Sequence, residues 1–165
     1  MVVVALLSIV LALALPSFRS MTERWRVQQA VDDLRSTMFY ARSEAIRRGG
    51  DVYVEKLPAA TPGCTLAARA ADWDCGWVVF IDANGNQRWE AGEEIQRYAP
   101  SPRLTVTRST ATSTIGVDRW GVIGGGDLVG FTIAPVSNSS DVQAVCILPG
   151  GRIQVGPRAS SACAA

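Results

Sequence analysis

Apolar positions run along this chain in three successive rhythms. Over the first fifteen residues they are continuous, Ser8 being the one polar side chain, so this segment has no polar face with which to lie on an ordinary soluble core. From Val27 they come in alternating steps of four and three, at Val27, Val31, Leu34, Met38, Ala41 and Ala45, which is a single stripe on a helix. Both stretches are expected to belong to one helix, tilted or kinked at Pro16 but not ended there, because Phe18, Met21 and Trp25 resume the spacing at once. Its end is expected at Gly49 and Gly50, where glycine supplies a left-handed C-cap and Arg47 and Arg48 suit the negative end of the helix dipole. Unbroken to Arg48, such a helix would be about 70 Å long, more than twice the ~30 Å of a bilayer core. Its first third therefore seeks lipid, while its second part stands clear of lipid and carries a domain.

Beyond Gly50 the rhythm shortens. Residues 52–57, 77–81, 95–98, 104–107, 129–133 and 142–148 are rich in β-branched and aromatic types and are separated by Gly, Pro, Asn and Asp, so each reads as a strand. Residues 58–74 form a long loop holding Cys64, and 107–113 a Ser/Thr-rich connector whose only charge is Arg108. The glycines at 124–126 lack the strand-then-helix context of a phosphate-binding loop and read as a turn. The five tryptophans, Trp25, Trp73, Trp77, Trp89 and Trp120, are scattered, which suits core or hairpin packing better than a base-stacking platform.

Charge and cysteine usage narrow the function. Residues 19–50 carry seven Arg against four acids, 51–96 eight acids against three bases, and the remainder six Arg against three Asp; neither end is basic enough to announce nucleic acid. There is no histidine, which removes the commonest general base and metal ligand and excludes a Ser-His-Asp hydrolase. With no constellation of nucleophile, base and oxyanion donors, the chain reads as a non-enzyme. Cys64, Cys75, Cys146 and Cys163 follow a membrane-seeking N-terminus and form no CxxC pair, so two disulfides in an oxidising compartment are the economical reading, ahead of zinc. Of the three connectivities, Cys64 to Cys75 and Cys146 to Cys163 are expected, the first closing a small loop before the 77–81 strand and the second pinning a polar tail. Arg19, Arg24 and Arg26 would place their side in the cytoplasm on positive-inside logic, but the cysteines place the domain outside. A removable secretory signal in front of a periplasmic binding domain is a rival reading, weakened by the missing basic n-region.

An apolar segment ending at Leu15 and Pro16 and running into an amphipathic helix resembles the N-terminus of a type IV pilin-like protein, and ARSEAIRRG at 41–49 resembles the GspH/FimT family of minor pilins and pseudopilins. That family has a basic leader and a Gly-Phe-Thr-Leu-Ile-Glu-Leu-type signature before the helix, absent from this sequence. Fifteen apolar residues span only about 22 Å as a helix, short of the ~20 residues needed to cross a bilayer; the native protein is therefore expected to begin upstream of Met1. The resemblance implies an α+β fold: a long N-terminal helix, membrane-inserting at 1–16 and amphipathic at 17–50, packed on a β-rich head at 51–165 with antiparallel sheets. It also implies a structural subunit of a type IV pilus or type II secretion pseudopilus, held in the bacterial inner membrane by a single pass before assembly, with its head in the periplasm. Other minor and major pilins or pseudopilins are the implied partners, and the stripe Val27, Val31, Leu34, Met38, Ala41 and Ala45 is assigned to helix packing in the filament.

Two motifs carry further chemistry. The run WDCGWVVFIDANGN at 73–86, followed by AGEE at 91–94, resembles the family's most recognisable β-hairpin, in which Asn and Gly tolerate positive φ and Asp caps the turn. Asp82, Asn84, Asn86 and Glu93 also match positions one, three, five and twelve of a calcium-binding EF-hand loop, but Gln87 stands at the sharp-turn glycine and no flanking helices are evident. A plain hairpin turn is expected, with calcium as the alternative. The tail at 144–155 resembles the C-terminal strand pair of the FimT-type branch, which in DNA-uptake minor pilins carries Gly-Arg-x-Arg. Gly151 and Arg152 match, while Gln154 replaces the second Arg and Arg158 is left to compensate. DNA uptake in natural transformation is accordingly the alternative function, behind assembly.

Overall fold

A computed structural model describes residues 2–59, 61, 64, 67–99, 101–137, 141–156 and 163, with side chains from residue 20 onward. The helix α1 (Val2–Arg48) is continuous through Pro16. Gly49 and Gly50 cap it, both donating to the carbonyl of Ala45 at 2.9 Å, with φ of 85° and 119°. Arg47 and Arg48 in the last turn converge on the Glu44 carboxylate at 2.5 and 2.8 Å.

Eight strands follow: β1 (Val52–Lys56), β2 (Trp77–Ile81), β3 (Glu94–Tyr98), β4 (Leu104–Arg108), β5 (Thr114–Val117), β6 (Val129–Pro135), β7 (Gln143–Ile147) and β8 (Ile153–Val155). They make two antiparallel four-stranded sheets, ordered β3-β2-β1-β5 and β4-β6-β7-β8. The helix packs on β1 and β5 of the first sheet and on β6 and β7 of the second. It thus lies across both sheets and closes one core between them.

That core is where the helical and strand rhythms meet. Val27, Val31, Leu34, Met38, Ala41 and Ala45 are at most 3% exposed and pack with Val52, Val54, Trp73, Trp77, Phe131 and Ile133. Trp73 meets Phe131 edge-on at 5.1 Å, and the Trp77 and Tyr98 rings lie 4.7 Å apart. A polar relay fixes the helix to the sheet: the Trp77 indole donates to Thr37 Oγ1 at 3.0 Å, and that hydroxyl donates to the Asp33 carbonyl at 2.7 Å. β2 is buried on both faces, because Ala67, Cys75 and Cys64 of the preceding loop pack on its outer side and make a second small core with Leu57, Val78 and Phe80. This is why its sequence is an unbroken apolar run where β1 alternates.

The structure joins Cys64 to Cys75 and Cys146 to Cys163, with Cα separations of 5.3 and 5.5 Å. The first ties the covering loop to the foot of β2; the second brings Cys163 back beside β7.

Three sequence expectations need correction. The stretch Thr114–Val117 is a strand, although its short TIGV sequence follows a Ser/Thr run and carries a mid-strand glycine. Gly116 is there for room, since a Cβ would sit 3.1 Å from the Tyr53 ring that lies over it. Arg108, expected in the Ser/Thr-rich connector, belongs to the end of β4 and is buried there. Its guanidinium donates to the carbonyls of Thr112 and Thr114 and faces Trp73, tying the connector between the sheets; burial lowers its pKa to about 10. Of the five tryptophans, Trp73 and Trp77 are core, but Trp25 and Trp120 are 66% and 73% exposed.

Candidate functional site

The helix presents two faces with different fates. The stripe Val27, Val31, Leu34, Met38, Ala41 and Ala45, expected to pack helix against helix in a filament, faces the molecule's own core, so it cannot meet a neighbour without unfolding the head. Met21, Trp25, Phe39 and Ile46 instead lie 55, 66, 45 and 53% exposed. At 100° per residue they fall within about 60° of one another and well away from the buried stripe. Spacings of four, fourteen and seven, interleaved with Gln28, Asp32, Arg35 and Arg42, hid this second stripe from a reading that looked for continuous apolar steps. Arg35 lies over the Phe39 ring at 5.6 Å. Among the residues whose side chains are described, full burial begins at Val27; Ser20, Glu23 and Arg26 before it are half-buried. No helix among the described residues is long and apolar enough to cross a membrane.

The turn between β2 and β3 uses its oxygens internally. The Asp82 carboxylate accepts the N–H groups of Gly85, Asn86 and Gln87 at 2.8, 3.1 and 2.8 Å, and Asn84 Oδ1 accepts that of Asn86 at 3.0 Å. Glu93 reaches back to the N–H groups of Ala83 and Glu90, both at 3.1 Å. Asn86 Nδ2 donates to Glu90 at 2.7 Å. These bonds close an Asx-type turn with Gln87 in the left-handed region at φ 59°. Among the described residues no group of three or more His, Cys, Asp or Glu is placed to hold a metal ion.

At the tail, Gly151 and Arg152 occupy the β7–β8 turn. The Arg152 carbonyl accepts the Leu148 N–H at 2.9 Å and its side chain is exposed. Gln154 pairs with Cys146 in the strand register, and Arg158 lies outside the described residues. The turn brings in a cation that the motif did not suggest: Arg42 of the helix donates to the Gly151 carbonyl at 3.4 Å. Both Gly151 and Gly121 abut Arg42 so closely that a Cβ on either would come within 2.8 Å of it. This gathers Arg42, Arg152 and the loop bearing Arg119 and Trp120 on one side of the helix. Arg119 lies over the Trp120 ring at 5.5 Å, and Asp118 holds that loop by accepting the N–H groups of Trp120 and Val122 at 3.0 and 2.8 Å.

One long N-terminal helix packed on a head of two antiparallel sheets is the architecture of a pilin-like protein. The chain belongs to the GspH family, described as Type II transport protein GspH, which matches residues 30–151. Its fold is similar to that of the Pseudomonas aeruginosa type IV minor pilin FimU in two crystal forms, with TM-scores of 0.62 and 0.65 at 20 and 21% identity, covering 82 and 86% of this chain and 96% of that one. It is also similar to the minor pseudopilin EpsH from the type 2 secretion system of Vibrio cholerae, with a TM-score of 0.53 at 12% identity over 79% of this chain and 95% of that one. No curated protein matches the chain.

Proposed function

We propose that this chain is a minor pilin or pseudopilin, a structural subunit that waits in the bacterial inner membrane and then adds its helix to the stack of a type IV pilus or type II secretion pseudopilus. The observation that carries this is the division of α1 between two faces: the stripe from Val27 to Ala45 is buried in the head, while Met21, Trp25, Phe39 and Ile46 are left exposed for another body; the sequence before them is apolar through Leu15. Family membership and the fold of FimU and EpsH support the same role. In the host cell, a tagged full chain is expected in the filament fraction sheared from the surface, or cross-linked to other pseudopilins. Phe39→Glu with Ile46→Glu is expected to keep the folded head and lose that incorporation. A chain that accumulates only as a free periplasmic protein contradicts the role.

A second reading, DNA capture, is supported by Arg42 beside Gly151 and Arg152. With two or three phosphate contacts, log K against log salt should have a slope of about −2 to −3. Arg152→Gln should lower it and Gln154→Arg raise it. An unchanged affinity in Gln154→Arg removes this reading and leaves assembly in place.

A further inference from the structure

The end of the head nearest the apolar segment differs from the rest of its surface. Met21, Arg24, Trp25 and Gln28 line an open groove of about 260 Å³ on the helix. The neighbouring rim is held to the helix by Ser137 donating to Glu23 and by Arg24 pairing with Asp141 at 3.0 Å. Val136, beside Ser137, is 58% exposed, and its N–H donates to the Arg103 carbonyl at 2.9 Å, which brings exposed Arg103 to the same rim. This collar thus holds Trp25, Met21 and Val136 with Arg24 and Arg103; Arg26 follows Trp25 at the same level on another side of the helix, and Arg19 precedes it in the sequence. Its acids, Glu23 and Asp141, are already engaged by Ser137 and Arg24.

Covalent continuity says what faces the collar. Met21 and Trp25 follow Leu15 by six and ten residues, about 9 and 15 Å along a helix. Helical side chains lean toward the N-terminus, which carries the indole closer still to the apolar segment. A bilayer of ~40–45 Å with a ~30 Å core has a headgroup layer of roughly 5–8 Å on each face; a tilt of about 40° puts the Met21 Cα about 7 Å and the Trp25 Cα about 11 Å beyond Leu15, and the lean of the indole toward the N-terminus closes the remaining few Å. Tryptophan settles at that boundary, and each arginine near an anionic surface adds about 1 kcal/mol.

We propose that before assembly this collar seats the head directly on an anionic lipid surface, with Trp25 and Met21 in the headgroup layer and Arg26 and Arg103 on lipid phosphates. The inference rests on the membrane stage of the proposed function. The two bonds from the rim to Glu23 and Arg24 stiffen the junction, so the seat fixes the head's tilt as well as its depth. Entry into a filament then exchanges lipid for a neighbouring helix over the same apolar patch.

The test uses the full chain with vesicles of phosphatidylcholine, alone or mixed with phosphatidylglycerol, and reads flotation together with iodide quenching of tryptophan. Trp25 is isolated as the difference between wild type and Trp25→Phe, and Trp120→Phe reports an exposed indole at the far end of the head. On the mixed vesicles, quenching of Trp25 should fall at least about threefold while that of Trp120 stays as in buffer, and Arg26→Gln with Arg103→Gln should lose most of that protection. A chain that floats with Trp25 as open to iodide as in buffer, or protected equally on both vesicles and in the arginine variant, overturns the seat and leaves the membrane stage standing. A chain that does not float removes the membrane stage and the seat with it.

Discussion

The two halves of α1 share one backbone conformation and little else. From Val27 onward the helix is held by side chains at most 3% exposed, by the Trp77–Thr37 bond and by contacts with both sheets. Before Val27, Glu23 and Arg24 bond to the rim of the head in solvent-exposed contacts. Apolar side chains therefore have different meanings on the two faces: toward the head they are core, and at Met21, Trp25, Phe39 and Ile46 they are exposed. Substitutions of similar size should separate the halves cleanly.

The largest effect is expected at Leu34, fully buried where the helix meets the sheets. Leu34→Ala should cost about 3–5 kcal/mol by transfer loss plus cavity, read by chemical denaturation, whereas Trp25→Ala should stay within about 0.5 kcal/mol of wild type. Equal losses would erase the distinction between the halves. Next comes the loop over β2: Cys64→Ser with Cys75→Ser should cost about 2–4 kcal/mol and expose Phe80. Thr37→Val leaves the buried Trp77 indole N–H without its acceptor, for about 1–3 kcal/mol.

The smallest effect is a difference in pH dependence between two neighbouring acids. The Arg69 guanidinium holds the Asp72 carboxyl below its usual range, so Asp72 contributes stability above the unfolded value, near 3.8, and loses it as pH falls through its lower folded value. Burial raises the Asp74 carboxyl against its bond from the Val106 N–H. Its ionisation therefore costs stability above the folded value, and that cost is relieved as pH falls toward 3.8. In acid titrations of stability, Asp72→Asn should flatten the limb below about pH 4 and Asp74→Asn should steepen the limb above it. Shifts of the same sign would contradict these environments.

Most of the fold could be read from the sequence because its signals are local: the four-and-three stripe, the Gly49–Gly50 stop, the apolar β2 run and the loop-closing cysteines. What escaped depended on tertiary partners. β5 is four residues built around a glycine that makes room for Tyr53, and Arg108 is buried because the chain turns back on it, so that the Thr112 and Thr114 carbonyls accept its protons over the Trp73 ring. The stripe expected to pack in a filament lies in the molecule's own core for the same reason. Periodicity finds the strongest apolar stripe, and the head claims that one; the weaker stripe through Met21, Trp25, Phe39 and Ile46 becomes visible only after the core is filled. Arg42 beside Gly151 is likewise a pairing across 109 residues, with no signal in either local sequence.

The central claim, that the outer stripe of α1 is the surface a neighbouring subunit covers, is tested most directly at position 39. Among the described residues the native cysteines are all in disulfides, so Phe39→Cys adds a thiol whose maleimide labelling rate can be followed in the unassembled chain and in sheared filaments. The account predicts ready labelling before assembly and a reduction of about tenfold or more within the filament, as burial in a packed interface would give. Equal labelling in both states would contradict it.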